Sequence, residues 1–149
     1  MNQAIVISGE SGAGKTENAK ALTQAIVAFS LGKNEGSQDR NGDIAQKILN
    51  SSPIMEAFGN AMTAKNNNSS RFGKYLMLKI GKESKKIEGA NITNFLLEKS
   101  RVTQISKMER NYHIFYHFFA GARKEQLEEW DIIDMEMDPK KYRYLNQSE

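Results

Sequence analysis

The stretch Gly9-Glu-Ser-Gly-Ala-Gly-Lys-Thr16 decides how this chain is read. It has the pattern Gly-x-x-x-x-Gly-Lys-Thr of a phosphate-binding loop, and each residue type has a physical reason to be there. Glycines let the backbone turn tightly, so that successive N–H groups from Gly9, Glu10, Ser11, Gly12, Ala13 and Gly14 can approach anionic oxygens. A helix beginning directly after the loop adds the positive end of its dipole. In such a loop Lys15 reaches the β- and γ-phosphates of a nucleoside triphosphate such as ATP, and the Thr16 hydroxyl is a ligand for Mg²⁺. The flanks suit the motif. Ala4-Ile-Val-Ile7 before it is a short β-branched run of the kind expected for a strand buried on both faces. After it, Leu22, Ala25, Ile26 and Phe29 recur at helical spacing and predict an amphipathic helix from about Lys15 to Leu31.

Outward from this unit, residues 32–43 are polar and glycine-rich without apolar periodicity, which predicts an exposed loop. Asp43 can cap a following helix bearing Ile44, Ile48 and Leu49. Pro53 suits the first turn of a second short helix, ended by Gly59-Asn60. A polar stretch, Lys65 to Ser70, comes next. Tyr75–Ile80 and Lys86–Ile92 then predict two strands joined through Gly81 as a hairpin. Phe95, Leu96 and Leu97 suggest a short helix and Val102–Ile105 a further strand. Residues 109–120 predict a helix that buries Tyr112, Phe115, Tyr116 and Phe119 and stops at Gly121.

Composition bounds the function. With 149 residues, 26% charged and 39% hydrophobic, the chain belongs with globular proteins. It has no apolar run of membrane-spanning length and no secretory-type start, so a cytoplasmic location without membrane contact is the expectation. No cysteine is present, which excludes disulfides and thiolate metal sites. A net charge of +3 is too mild to argue for nucleic acid. Lys82, Lys85 and Lys86 do cluster, but their place between two strand-like runs makes them a solvated hairpin tip.

The tract Asn66-Asn-Asn-Ser-Ser-Arg-Phe-Gly-Lys74 is by composition a polar loop. Beside a phosphate loop it gains a second meaning, because that loop alone leaves part of the γ-phosphate and one Mg²⁺ position unattended. Two adjacent hydroxyls, an amide and an arginine are groups that could complete the shell.

Gly9-Glu-Ser-Gly-Ala-Gly-Lys-Thr-Glu-Asn18 and Asn66-Asn-Asn-Ser-Ser-Arg-Phe-Gly-Lys-Tyr75 resemble the phosphate loop and switch I of myosin motor heads. Glu56-Ala-Phe-Gly-Asn-Ala61, Leu96-Leu-Glu-Lys-Ser-Arg-Val102, Glu109-Arg-Asn-Tyr-His-Ile-Phe-Tyr116 with Ala120-Gly-Ala122, and Tyr142-Arg-Tyr-Leu-Asn-Gln147 are similar to later family stretches, in the family's order. Kinesins share the nucleotide logic, but their switch continues Ser-Ser-Arg with Ser-His where this chain has Phe72-Gly73. The resemblance implies an α/β fold: a P-loop NTPase-type mixed sheet flanked by helices, here an incomplete portion of a motor domain running into transducer-region strands and helices. It implies an actin-based motor ATPase using ATP and Mg²⁺, associated with the cytoskeleton.

Carried over by residue, the resemblance implies that Ser70 joins Thr16 on Mg²⁺, Ser69 helps position the attacking water, Asn66 contacts the phosphate region, and Arg71 pairs with a glutamate of switch II. The switch II motif, Asp-Ile-x-Gly-Phe-Glu, does not occur in this sequence. Catalytic roles thus fall on Lys15, Ser69 and Arg71. The adenine-contacting segment would precede this chain, and the actin-binding elements, relay helix, converter and lever arm would follow it, so the isolated chain is expected to be inactive. Residues 32–43 correspond to the family's variable surface loop near the pocket. Ser52, Met62 and Met108 depart from the usual asparagine, lysine and small or polar residue, which bears on the class of myosin. A non-motor P-loop NTPase is the other reading of the loop alone.

Three other constellations are weaker. His113 and His117 are spaced i, i+4 on a predicted helix but have no third ligand for zinc. The aromatic run Tyr112 to Phe119 is packing. Glu128 and Glu129 beside Trp130 read as a solvated helix face.

Overall fold

The computed structural model describes residues 2–31 and 40–147, and these form two compact units. One comprises residues up to Ile54 together with Gly73–Phe95; the other comprises Met55–Phe72 and Leu96 onward.

In the first unit, helix α1 (Lys15–Leu31) follows the glycine loop without a break. Strands β3 (Gly73–Ile80) and β4 (Ile87–Phe95) form an antiparallel hairpin, with Gly73 opposite Phe95 and Leu78 opposite Ala90. The turn closes through Gly81 N donating to Lys86 O at 3.0 Å and Lys85 N to Gly81 O at 3.1 Å. Lys82 and Lys85 stand exposed on it, as expected of a hairpin tip. Val27, Ile48 and Ile87 make the core, with Ile26, Ile44, Leu49, Leu76 and Leu78 packed against them. Burying an aliphatic side chain such as that of Ile87 contributes roughly 1.5–3 kcal/mol.

The buried face of α1 differs from the expected stripe. Val27 and Ser30 are buried, whereas Ala25 is exposed and Phe29 is 88% exposed. The turn toward Ser30 has a polar cause: its Oγ accepts a hydrogen bond from the backbone N–H of Ile87 at 2.6 Å. A strand amide is thereby satisfied inside the core, and the helix face is set by that bond as well as by apolar periodicity.

Helix α2 (Arg40–Gly59) carries Pro53 in its interior, so the two helices expected around Pro53 are one. Its start at Arg40 places Asp43 inside the helix and not at its cap, and the remainder of the expected loop, residues 32–39, lies outside the described residues. The expected strand at Ala4–Ile7 is chain without regular secondary structure or ladder partners among the described residues, and Val6 is 88% exposed. A doubly buried parallel strand exists only between neighbours, and none of the described strands pairs with it.

In the second unit, β1 (Asn60–Thr63) pairs antiparallel with β2 (Asn66–Ser70), Asn60 opposite Ser70 and Ala61 opposite Ser69. The polar tract is therefore a strand, because its backbone groups are paired with β1 even though its side chains lack strand propensity. Ala61 also bridges Tyr112. Leu96–Glu98 is non-helical, and the strand expected at Val102–Ile105 is replaced by a short 3-10 turn, Lys99–Val102, and irregular chain. Helix α3 spans His113–Gly121, starting four residues later than expected, because Arg110 N donates to Met62 O at 2.9 Å and Tyr112 bridges Ala61, which ties this stretch to β1. Its aromatic rings pack, as expected, and the partners include the end of the described chain: Phe115 meets Tyr144 edge-on at 5.4 Å, and Phe119 meets Tyr142 at 5.1 Å. A short helix α4 (Lys124–Glu129) follows, with Glu128 and Glu129 exposed.

The described residues thus combine α-helices with two separate two-stranded antiparallel sheets. That is an α/β composition, and within it no larger mixed sheet forms.

Candidate functional site

In the glycine loop, Gly12 and Gly14 adopt φ of 85° and 81°, values that L side chains rarely take. A Cβ at either position would meet nothing within 4 Å, so backbone conformation and not space calls for glycine there. Gly14 O then accepts from Asn18 N at 2.9 Å, which opens α1. Ala13 N donates to Glu10 O at 3.2 Å and tightens the loop. Lys15 folds back over it, its Nζ donating to Gly9 O and Glu10 O at 2.5 Å each. Thr16 is half-buried in the first turn of α1.

Strand β2 splits the second tract between two faces. Ser69 is only 3% exposed, whereas Ser70 is exposed. Ser69 Oγ accepts from Arg71 Nη1 at 3.2 Å. Asn66 Oδ1 accepts from Asn68 N at 2.9 Å, an Asx-type turn within the strand. The Asn68 side chain contacts Asn60, Glu56 and His113. The structure thus keeps Gly9–Thr16 in one unit and Asn66, Ser69, Ser70 and Arg71 in the other, each continuous within itself.

Arg71 has a carboxylate partner that the sequence reading did not supply. Its Nε donates to Glu98 Oε2 at 2.7 Å, and that same oxygen accepts from Arg101 Nε at 2.7 Å. Arg101 is 4% exposed, and its remaining edge donates to Glu109 Oε2 at 2.8 Å and to Arg110 O at 3.0 Å. The Arg71 hydrogen bond, with those from Arg101, holds the Glu98 carboxyl below its ordinary value against the opposing effect of burial. Burial pulls the Arg101 guanidinium down, but Glu98 and Glu109 outweigh it and raise it. Tyr112 completes the cluster, its hydroxyl donating to Glu98 O at 2.7 Å. Glu98 was legible only as part of a family-like stretch; an acid three residues before an arginine, between apolar flanks, was the available signal.

His113 and His117 stack with centroids 5.8 Å apart. Burial, then the neighbouring His117 and Arg110, lowers the pKa of His113, against a raising effect of Glu56. Among the described residues no group of three or more His, Asp or Glu side chains is placed to hold a metal ion. No described helix is long and apolar enough to cross a membrane.

A loop of positive-φ glycines feeds a helix in one unit, and a hydroxyl-bearing strand continues into an arginine–glutamate cluster in the other. The family model described as myosin head (motor domain) matches residues 1–149, and the chain belongs to that family. It is 48% identical over 147 residues to the myosin-I heavy chain of Dictyostelium discoideum, covering 99% of this chain and 6% of that protein. Myosin-8 of Arabidopsis thaliana is 48% identical over 148 residues, covering 99% of this chain and 9% of that protein. Unconventional myosin-XIX of Xenopus laevis is 46% identical over 132 residues, covering 89% and 14%. The chain therefore spans a small part of the length of these relatives.

Proposed function

We propose that this chain is the phosphate-holding segment of an actin-based motor that hydrolyses ATP. The observation that carries the reading is the loop itself, with Gly12 and Gly14 in left-handed conformations directly before α1 and Lys15 folded over it. Its backbone N–H groups and the α1 dipole favour an anion at that end. Lys15 donates to two loop carbonyls, and exchanging those neutral acceptors for phosphate oxygens converts its bonds into charge-assisted ones, roughly twice as strong.

The chemistry is transfer of the γ-phosphoryl group to water: a bond forms from the water oxygen to phosphorus as the bond to the bridging oxygen breaks. Catalysis rests on positioning and charge neutralisation. Bound Mg²⁺ supplies charge neutralisation at the phosphate oxygens. Thr16 and Ser70 are its proposed ligands; Gly9, Glu10, Ser11, Gly12, Ala13, Gly14 and Asn66 are proposed to contact the phosphates. Ser69 is assigned to positioning the attacking water. Arg71 is assigned to closing the site around the γ-phosphate. Filamentous actin would be engaged through other parts of the head, and the chain alone is proposed not to turn over ATP.

The test is titration of a motor head containing this segment with a fluorescent ATP analogue. Lys15→Ala is expected to weaken binding about a hundredfold, the size of effect of losing a charge-assisted contact in a closed site. Unchanged affinity would show that the loop is not the phosphate site.

A further inference from the structure

Asn68 lies at the centre of a side-chain network that links β2 to the end of α2 and to the start of α3. Its Nδ2 donates to Glu56 Oε2 at 3.3 Å. Its Oδ1 accepts from Asn60 Nδ2 at 3.0 Å and lies 3.0 Å from His113 Nε2. The members impose orientations on one another in sequence. A carboxylate only accepts, so Glu56 must face the Asn68 amide nitrogen. That turns Asn68 Oδ1 toward Asn60 and His113, and an oxygen accepts only from donors. Asn60 must therefore present its nitrogen, and His113 must carry its proton on Nε2.

The price is visible in the interior. Asn60 is fully buried, and its Oδ1, turned away from Asn68, meets no hydrogen-bond partner among the described residues. An unconstrained amide could rotate to offer that oxygen elsewhere. Here rotation would set Asn60 Oδ1 against Asn68 Oδ1, two acceptors with no proton between them.

We infer that Glu56 and His113 are positioning residues for β2, fixing the Asn68 amide from its two ends so that the neighbouring Ser69 and Ser70 keep their opposite faces. Glu56 sets the direction of the amide, and His113 reads it as a single imidazole tautomer. The consequence for nucleotide binding rests on the proposed role of β2, but the network itself does not.

The chain has two histidines, so the tautomer is directly observable by imidazole ¹⁵N NMR of the histidine-labelled chain, with His117→Gln used for assignment. At a pH where His113 is neutral, the expected signature is a protonated Nε2 and an unprotonated Nδ1. A proton on Nδ1 overturns the inference. Glu56→Gln retains an acceptor oxygen for Asn68 and is expected to keep the signature. Glu56→Met, of similar length without an acceptor, is expected to lose it and give a mixture of tautomers. Retention of a pure Nε2–H form in Glu56→Met would show that packing alone orients Asn68 and remove Glu56 from the role. Titration of a Lys15→Ala motor head with the ATP analogue separates the two ideas: unaffected nucleotide binding there, with the Nε2–H signature present in the chain, overturns the phosphate-site reading and leaves the network intact.

Discussion

Arg71 and Glu98 are joined twice. The guanidinium Nε donates to Glu98 Oε2 at 2.7 Å, and the Glu98 backbone N–H donates to Arg71 O at 2.9 Å. The end of β2 is thereby clamped to the segment before the 3-10 turn by one side-chain and one main-chain bond. Glu98 Oε2 also serves the buried Arg101, so a single carboxylate oxygen accepts from two arginines.

Glu98→Gln is expected to destabilise the second unit by about 1–3 kcal/mol, because Arg101 stays buried with only Glu109 as its charged partner. Denaturant unfolding of both proteins measures this. The effect depends on pH with a definite sign. Glu98 has a folded pKa below its ordinary 4.5, so its contribution is fully present above that value and is lost as pH falls through the lowered folded value. The stability difference between wild type and Glu98→Gln should shrink in acid below about pH 4.5. A difference that is constant or grows in acid would contradict the charge assignment.

Gly14→Ala should cost about 1–2 kcal/mol when the loop adopts its observed conformation, since the new Cβ has space but the φ of 81° is left-handed. In nucleotide titrations of the motor head this corresponds to a loss of about tenfold. Gly89→Ala is the matched control: a Cβ there also meets nothing within 4 Å, Gly89 has no positive φ, and the change should stay within about 0.5 kcal/mol.

Gly59→Ala should destabilise by about 1–3 kcal/mol for the opposite reason, a steric one. A Cβ at the end of α2 would run into the Phe72 ring, which lies across Gly59. The backbone is already tied there, Arg71 N donating to Gly59 O at 2.9 Å, so the ring cannot move off with the chain. Shortening the ring in Gly59→Ala/Phe72→Leu should recover part of the loss in a double-mutant cycle, whereas additive losses would place the strain elsewhere.

What the sequence made legible was local. The extent of α1, the β3–β4 hairpin and the apolar run that makes α3 a helix follow from spacing and turn chemistry that is local in the chain. The features it hid are set by distant partners. Ser30 turns α1 because a strand amide 57 residues later needs an acceptor. Asn66–Ser70 becomes a strand because β1 pairs with it, against the propensity of its own side chains. Glu98 is 27 residues from Arg71, and no periodicity relates them. At the candidate site, Gly9–Thr16 and Asn66–Arg71 were recognisable as chemistry from residue type and order. The Glu56–Asn68–His113 network was not, since each member is an ordinary polar residue until the fold brings them together.

The central claim, that the Gly9–Thr16 backbone cradles nucleotide phosphates, is tested most directly by amide hydrogen exchange of a motor head containing this chain, with and without Mg-ATP. The loop residues are exposed or half-buried, so their N–H groups should exchange rapidly without nucleotide. With Mg-ATP, peptides covering residues 9–18 should gain strong protection as those N–H groups donate to phosphate oxygens, and Lys15→Ala should abolish the gain at the same nucleotide concentration. Protection elsewhere in the head with none in residues 9–18 would contradict the account.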